Sequence, residues 1–439
     1  MNANSKILVF GASGLIGRFV TDDLRRRGFQ TIGLARKFPA TKMSRLDIEL
    51  PIMAMDAAAL AQLLRDQTID VVVNCLGVLQ DGPGSDTRAV HRDFVERLLA
   101  AIRSSGREIR LVHVSIPGDD RDDRTAFSVT KREAERMIAA SGVPYAILRP
   151  GFVVAPAAFG GSALVRALAA LPFQLSKAES AVSFQPVAVE DVSATIAWLA
   201  TRDLDDVTAK AVVWDLMQPE PATLGEVIDA FRRNYGTNSL PRLPLPSLLL
   251  DIGVKLADLA ASLGWKPPIR STAIAELRRG VRGHPSAWMA ATGIVPRRIT
   301  EAVGEHAATV QDKWFARLYL IKALIIASLG IFWSVSGLIA LLVSYEAAAG
   351  ILSAHRFPKA LVAPITILTS LMDITIGVLI AFRRTCAFGL VAGILASLGY
   401  MVGAAILTPD LWIEPLGALV KTGPAIVLML VALAILDNR

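Results

Sequence analysis

Lys6-Ile7-Leu8-Val9-Phe10-Gly11-Ala12-Ser13-Gly14-Leu15-Ile16-Gly17 opens the chain with an apolar run that stops at a glycine. A short, continuous apolar run of this kind reads as a buried parallel strand. A helix is expected over residues 15–27, so the spacing Gly11-x-x-Gly14-x-x-Gly17 falls between a strand and a helix, the context such a motif requires. The first glycine permits a tight turn, the second lets the backbone approach a pyrophosphate, and the third lets the helix pack closely on the strand. The helix start would add free N–H groups and the positive end of its dipole.

Working outward, residues 29–34, 70–74, 109–114 and 145–148 read as further strands, and 56–66, 87–103 and 128–140 as helices. Strands alternating with helices predict an α/β fold, a doubly wound parallel sheet covered on both faces. Residues 152–312 are mixed. Within them 247–263 is apolar, but Asp251, Lys255 and Asp258 fall three and four apart on one helical face. It is read as an amphipathic helix packed on the domain core, in preference to one lying on a bilayer.

The chain has 439 residues, 53% of them hydrophobic, and its charged residues become sparse after about Trp314. That shift predicts a soluble part followed by a membrane part. Four apolar stretches, 323–344, 360–382, 385–407 and 416–436, are each long enough to span at about 20 residues, which predicts an all-α transmembrane four-helix domain. Arg383 and Arg384 join the second and third, Asp410 and Glu414 the third and fourth, and Lys313, Arg317 and Lys322 precede the first. The positive-inside rule then places both termini in the cytoplasm of a multi-pass protein of the cell (inner) membrane, against a mild contrary signal from His355, Arg356 and Lys359. The opening run is broken at once by glycine and so is not read as a signal peptide.

The formal charge of +7 comes from short clusters such as Arg25-Arg26-Arg27, with no interleaved aromatics, so no nucleic-acid partner is expected. Basic residues beside a bilayer explain the same charge. Cys75 and Cys386 are far apart and imply neither a disulfide nor a metal site.

The glycine spacing, with Asn74-Cys75-Leu76-Gly77, His113-Val114-Ser115, Lys131 and Leu148-Arg149-Pro150-Gly151, resembles the extended and atypical short-chain dehydrogenases, including NmrA-like proteins. The resemblance covers residues 1–312, most specifically a core of 1–155, and leaves 156–312 as a substrate or cap region. It implies an NAD(P)-binding Rossmann domain in which Gly11, Ala12, Ser13, Gly14, Leu15, Ile16, Gly17, Leu76, Gly77, Lys131, Pro150 and Gly151 meet the cofactor. Residues 313–439 resemble the DoxX-like family, four-helix membrane proteins of which some are linked to quinone or thiosulfate oxidation. That second resemblance rests on span count and on Pro415-Leu416-Gly417 with Lys421-Thr422-Gly423-Pro424.

NAD sites place a carboxylate at the end of the second strand to hold the ribose 2′-hydroxyl. Here Arg36 stands there with Lys37 beside it, and a guanidinium suits a 2′-phosphate, so NADP(H) is favoured over NAD(H). The resembled family also uses a Tyr-x-x-x-Lys pair and a serine. Ser115 and Lys131 match the serine and the lysine as catalytic candidates, but the tyrosine position is Phe127. Loss of a general acid costs about 100- to 10,000-fold when nothing replaces it. Asp373, deep in the second span, is the membrane site candidate, with Lys421 as one partner considered.

Two functions fit these features. One is an oxidoreductase passing hydride to a lipophilic, quinone-like acceptor in the bilayer. The other is a non-catalytic redox sensor or accessory subunit of a membrane complex, as among NmrA-like regulators and an accessory subunit of respiratory complex I.

Overall fold

The computed structural model describes residues 5–39, 44–82, 85–239, 241–267, 269–413 and 417–437. The chain divides into two compact units, Met1–Leu256 with Pro268–Ala316, and Ala257–Pro267 with Arg317–Arg439.

The first unit is built on strands β1 (Lys6–Phe10), β2 (Gln30–Ala35), β3 (Asp47–Glu49), β4 (Val71–Asn74), β5 (Arg110–Val114), β6 (Tyr145–Pro150) and β7 (Ala211–Leu216). They form one seven-stranded, wholly parallel sheet in the order β7-β6-β5-β4-β1-β2-β3. Helices α1 (Leu15–Arg26), α2 (Ala57–Asp66), α3 (Phe94–Ser104) and α4 (Ala126–Ala139) connect the first strands. Asp56 starts α2 by accepting a hydrogen bond from Ala59 N at 2.8 Å, a cap worth ~1 kcal/mol.

The strands alternate by residue, and the two faces make two cores. Ile7, Val9, Val71, Val73 and Val112 pack with Val20 and Leu24 of α1. Leu8, Phe10, Val72 and Leu111 pack with Leu60, Phe94 and Leu98 on the other side. Every strand residue therefore meets apolar neighbours, which is why the runs carry no polar alternation.

The expected strands and helices are all present within a few residues. Edges β3 and β7 were not anticipated: β3 is three residues long and carries two acids, and β7 leaves Ala211 and Val213 exposed. Such edge strands lack the continuous apolar signal. Helices α5 (Gly161–Ala170), α6 (Val189–Ala200), α7 (Leu224–Tyr235), α8 (Ser247–Ser262) and α9 (Ser271–Arg279) follow. Helix α8 corrects the sequence reading: only Ala257 and Ala261 are buried along it, so it is not a core helix.

The second unit contains most of α10 (Val310–Leu338), then α11 (Lys359–Ala381), α12 (Cys386–Leu407) and α13 (Ala418–Ala434). Among the described residues, three helices are long and apolar enough to cross a membrane, Val310–Val343, Lys359–Ala381 and Cys386–Leu407. The fourth expected span is a shorter apolar helix of 17 residues, and Glu414 and Pro415 lie outside the described residues. Tyr345–Ala354, read as a connection, is helical.

Glycines set the helix spacing, as small residues do in membrane bundles. A Cβ at Gly377 would stand 2.5 Å from Ser334 N, and one at Gly389 would stand 2.8 Å from Ile380 N. Gly393 packs against Trp333 and Met429, whereas Gly403 on the same helix faces open space. Lys322 Nζ donates to Leu436 O at 2.9 Å and Arg383 Nη2 to the same oxygen at 3.2 Å, placing two cations at the C-terminal end of α13.

Candidate functional site at the carboxyl edge of the sheet

Strand β1 pairs with β2 on one side and β4 on the other, so the strand order reverses there. A crevice at the carboxyl ends of the strands beside such a reversal is where open α/β sheets bind ligands.

The glycine turn fits a nucleotide diphosphate. Gly11 has φ +78°, a left-handed conformation that glycine adopts freely, and a Cβ on it would press on the Cys75 carbonyl at 3.1 Å. Gly14 caps α1 with no side chain, leaving the first N–H groups of the helix unsatisfied by any cap. A Cβ at Gly17 would collide with the Gly11 carbonyl, whose carbon would be 2.8 Å away. Gly11 N and Ala12 N both donate to Leu34 O, which fastens the turn to β2. Arg36 and Lys37 follow β2 immediately and are exposed.

Lys131 projects from α4 between the ends of β4 and β5, where Nζ donates to Val114 O at 2.8 Å and Leu76 O at 3.2 Å. An ammonium has three donors, so one remains for a further acceptor. Burial pushes its pKa down to about 8, against the pull of Cys75 and Glu135 in the opposite direction. Burial also pushes the Cys75 thiol up to about 12, so it stays protonated. Gly77 lies alongside, a Cβ there standing 3.9 Å from Lys131 Nζ.

Phe127 occupies the first turn of α4, whose start is fixed by a capping box between Thr125 and Ser128. Its ring meets the His91 ring edge to face at 5.5 Å. Val78 N donates to His91 Nε2 at 3.1 Å, which leaves the ring proton on Nδ1 for Thr130 Oγ1 at 2.9 Å. Thr130 in turn donates to Ala126 O at 2.6 Å. Burial pushes His91 down to about 2, with Lys131 and His113 adding to the effect, so it stays neutral. Asn74 makes a separate pair of polar contacts, accepting from Leu76 N at 3.1 Å and lying 3.1 Å from His113 Nδ1.

Ser115 follows β5, buried, with its hydroxyl near the Glu135 carboxylate but outside ordinary hydrogen-bond geometry. Glu135 receives Arg149 at 2.9 and 2.5 Å and Arg132 at 3.1 Å. Burial works to raise the Glu135 carboxyl, but the two guanidinium groups hold it below the usual range. Arg132 also reaches Asp123 at 2.9 Å, and Arg279 of α9 meets Asp123 at 2.6 Å.

The structure thus brings Gly11, Ala12, Ser13, Gly14, Gly17, Leu76, Gly77, Ser115 and Lys131 to one edge. Pro150 ends β6 in the interior, and Gly151 is wedged against Gln185 O, where a Cβ would collide; close packing accounts for that glycine. Tyr145 sits at the amino end of β6, the opposite edge of the sheet. In the second unit Asp373 accepts a hydrogen bond from Tyr400 at 2.7 Å, not from Lys421, which is exposed. Glu135, Arg149 and His91 were missed as site residues because their partners are distant in sequence and no local spacing announces them.

Comparison with known proteins agrees with this geometry. Residues 7–216 match the NAD dependent epimerase/dehydratase family, and residues 330–430 match the DoxX-like family. A dTDP-6-deoxy-L-talose 4-dehydrogenase (NAD(P)(+)) of Kitasatospora kifunensis is 30% identical over 112 residues, 26% of this chain and 35% of that protein. The chain therefore spans about a third of the length of the curated relative it matches. The UDP-glucuronic acid 4-epimerase from Bacillus cereus, solved with UDP-glucuronic acid and NAD, superposes with a TM-score of 0.51 at 17% identity, over 72% of this chain and 100% of that one. The Bordetella bronchiseptica enzyme WbmF, solved with NAD+, gives 0.52 at 14% identity, over 73% and 98%. At these identities the likeness is one of fold. The chain thus carries an epimerase- and short-chain-dehydrogenase-like Rossmann domain, followed by a C-terminal DoxX-like domain.

Proposed function

We propose that the protein is a membrane-anchored, NADP(H)-binding oxidoreductase that passes hydride to a lipophilic acceptor such as a quinone. The observation that carries this reading is the pairing of Lys131 with Phe127: the group that would hold the nicotinamide ribose is retained and the proton donor is gone. The nucleotide, when bound, supplies the hydride. The Gly11–Gly17 turn and the start of α1 would hold its pyrophosphate, and Arg36 with Lys37 its 2′-phosphate. The remaining N–H of Lys131 would meet a ribose hydroxyl.

Reducing an alcohol-forming carbonyl needs an acid at the oxygen, and Phe127 has none to give. A quinone places the arriving electron pair on a phenolate-like oxygen, which takes its proton from water. This weighs against the sugar-nucleotide chemistry of the relatives and for an acceptor dissolved in the bilayer. The DoxX-like domain would bring that acceptor close. In this reading residues 156–312 form the cap, and Arg383 and Arg384 put the nucleotide domain on the cytoplasmic side of the inner membrane. The neutral, fully bonded His91 packed on Phe127 favours a second reading, a nucleotide sensor or accessory subunit without turnover.

The deciding experiment is NADPH fluorescence titration of the detergent-solubilised protein, with Arg36→Ala and NADH alongside, followed by NADPH consumption with added quinones. Saturable NADPH binding, weakened by Arg36→Ala and poor for NADH, is expected, with turnover on quinone. Binding without turnover on any quinone would favour the sensor. No binding of either nucleotide would overturn both readings.

A further inference from the structure

Helix α8 has a second apolar face that nothing in the chain covers among the described residues. Leu248, Leu249, Ile252, Leu256 and Leu259 recur at i, i+1, i+4, i+8 and i+11, on one side of the helix, and none is less than 45% exposed. Its buried side consists of Ala257 and Ala261. Asp251, Lys255 and Asp258 lie on a third side, with Asp251 paired to Arg278 at 3.3 Å. Contiguous exposed aliphatic patches of this kind mark interaction sites.

What lies against the stripe is indicated by where the helix leads. The chain runs on through Leu263 to Trp265, in the apolar-helix unit. Trp265 Nε1 donates to Ala381 O at 2.7 Å, Arg383 N donates to Leu263 O at 3.1 Å, and the Arg383 guanidinium lies over the Trp265 ring at 5.6 Å. Ala381 ends α11 and Arg383 stands in the turn before α12, so both mark the same end of these two apolar helices. Tryptophan and arginine at span ends are the residues that mark a bilayer surface.

We propose that α8 is an interfacial helix whose Leu248–Leu259 stripe is buried in the lipid of the leaflet nearest Trp265 and Arg383. This rests on the reading that α10 to α12 cross a bilayer. Three features fit a helix lying in the membrane plane: a narrow aliphatic stripe, a charged flank, and an end fixed at the level of the headgroups.

The test uses the full chain reconstituted in phosphatidylcholine–phosphatidylglycerol vesicles. Ile252→Cys and Leu256→Cys are labelled with an environment-sensitive fluorophore, with Leu395→Cys on α12 and Val207→Cys in the first unit as reference positions. All four replaced side chains are exposed, so the substitutions leave the cores intact. The wild-type chain taken through the same labelling gives the background from Cys75 and Cys386. Quenching by a nitroxide carried on lipid is compared with quenching by aqueous iodide. Labels at 252 and 256 are expected to follow 395, with lipid quenching about threefold or more above that at 207 and little effect of iodide. Iodide quenching equal to that at 207 would show a face in water. Protection from both quenchers would show a face covered by protein, a second copy included. Either result overturns the proposal while 395 remains lipid-quenched. Loss of lipid quenching at 395 as well would instead overturn the spanning reading beneath it.

Discussion

The carboxyl edge of the sheet and the helical bundle both keep polar side chains away from water, and they satisfy them by opposite routes. At the sheet edge the bonds run between elements: Lys131 of α4 to the ends of β4 and β5, His91 to the loop after β4, Glu135 to Arg149 on β6. In the bundle the buried hydroxyls of α11 turn back on their own helix, Thr366 to Val362 O and Ser370 to Thr366 O. The Asp373–Tyr400 pair is a bond between α11 and α12. Cross-element bonding makes the edge a single device in which one loss propagates. The bundle depends on close approach of backbones, so its vulnerability is steric.

The largest effect is expected where the edge itself is steric. Gly17→Val would drive a branched side chain into the Gly11 carbonyl, a backbone atom that cannot move without lifting the turn from Leu34. NADPH fluorescence titration should show complete loss of binding. Retained binding would mean that the turn is not the phosphate cradle.

Next comes the buried ion cluster. Glu135→Ala leaves Arg132 and Arg149 facing one another without their shared anion, and breaking a buried pair from one side costs about 3–5 kcal/mol. Denaturant unfolding of the first unit, followed by tryptophan fluorescence, should shift by that amount. A shift under about 1 kcal/mol, the range of surface pairs, would show that the cluster is solvated.

The bundle's counterpart is Gly377→Leu, which would overlap Ser334 across α10 and α11. Overpacking costs about 1–3 kcal/mol where neighbours can shift, and here the neighbour is backbone. Thermal unfolding in detergent should fall for Gly377→Leu and stay unchanged for Gly403→Leu, whose position is open. Equal effects at both would deny that glycines set the spacing.

The same contrast explains what could be read in advance. The glycine turn, Lys131 and the vacancy at Phe127 were legible because the constraint is local: three glycines at fixed spacing between strand and helix, and a residue four before a lysine. The alternation of Ile7 and Val9 against Leu8 and Phe10 hides within a uniformly apolar run, yet the run itself marks a strand buried on both faces. Strands β3 and β7 escaped because an edge needs only one paired side. Glu135, Arg149 and Tyr400 escaped because their meaning lies in a partner 14 to 27 positions away. Helix α8 was misplaced because an aliphatic stripe has the same spacing whether it meets a protein core or a bilayer.

The smallest effect belongs to the opposite end of α11 and α12, where the bonding again runs between elements. His355 ends the Tyr345–Ala354 helix, its Nδ1 2.7 Å from Ile351 O and its Nε2 2.6 Å from Asp410 Oδ1. Both oxygens accept, so both ring nitrogens must donate, and the imidazolium is the form that satisfies them. The Ile351 carbonyl first, and Asp410 with it, raise His355 above its ordinary 6.5. The His355 bond holds Asp410 below its ordinary 3.8. A raised base contributes its stability fully below the unfolded value and loses it as pH climbs through the folded one. A depressed acid contributes above its unfolded value and loses it as pH falls through the folded one. The contact is therefore strongest between about pH 4 and pH 6.5 and weakens on the alkaline side first. Amide exchange across residues 345–354, corrected for intrinsic rates, should show greater protection at pH 5.5 than at pH 8.5, with the difference abolished by His355→Gln. A pH dependence that survives His355→Gln would assign it to another group.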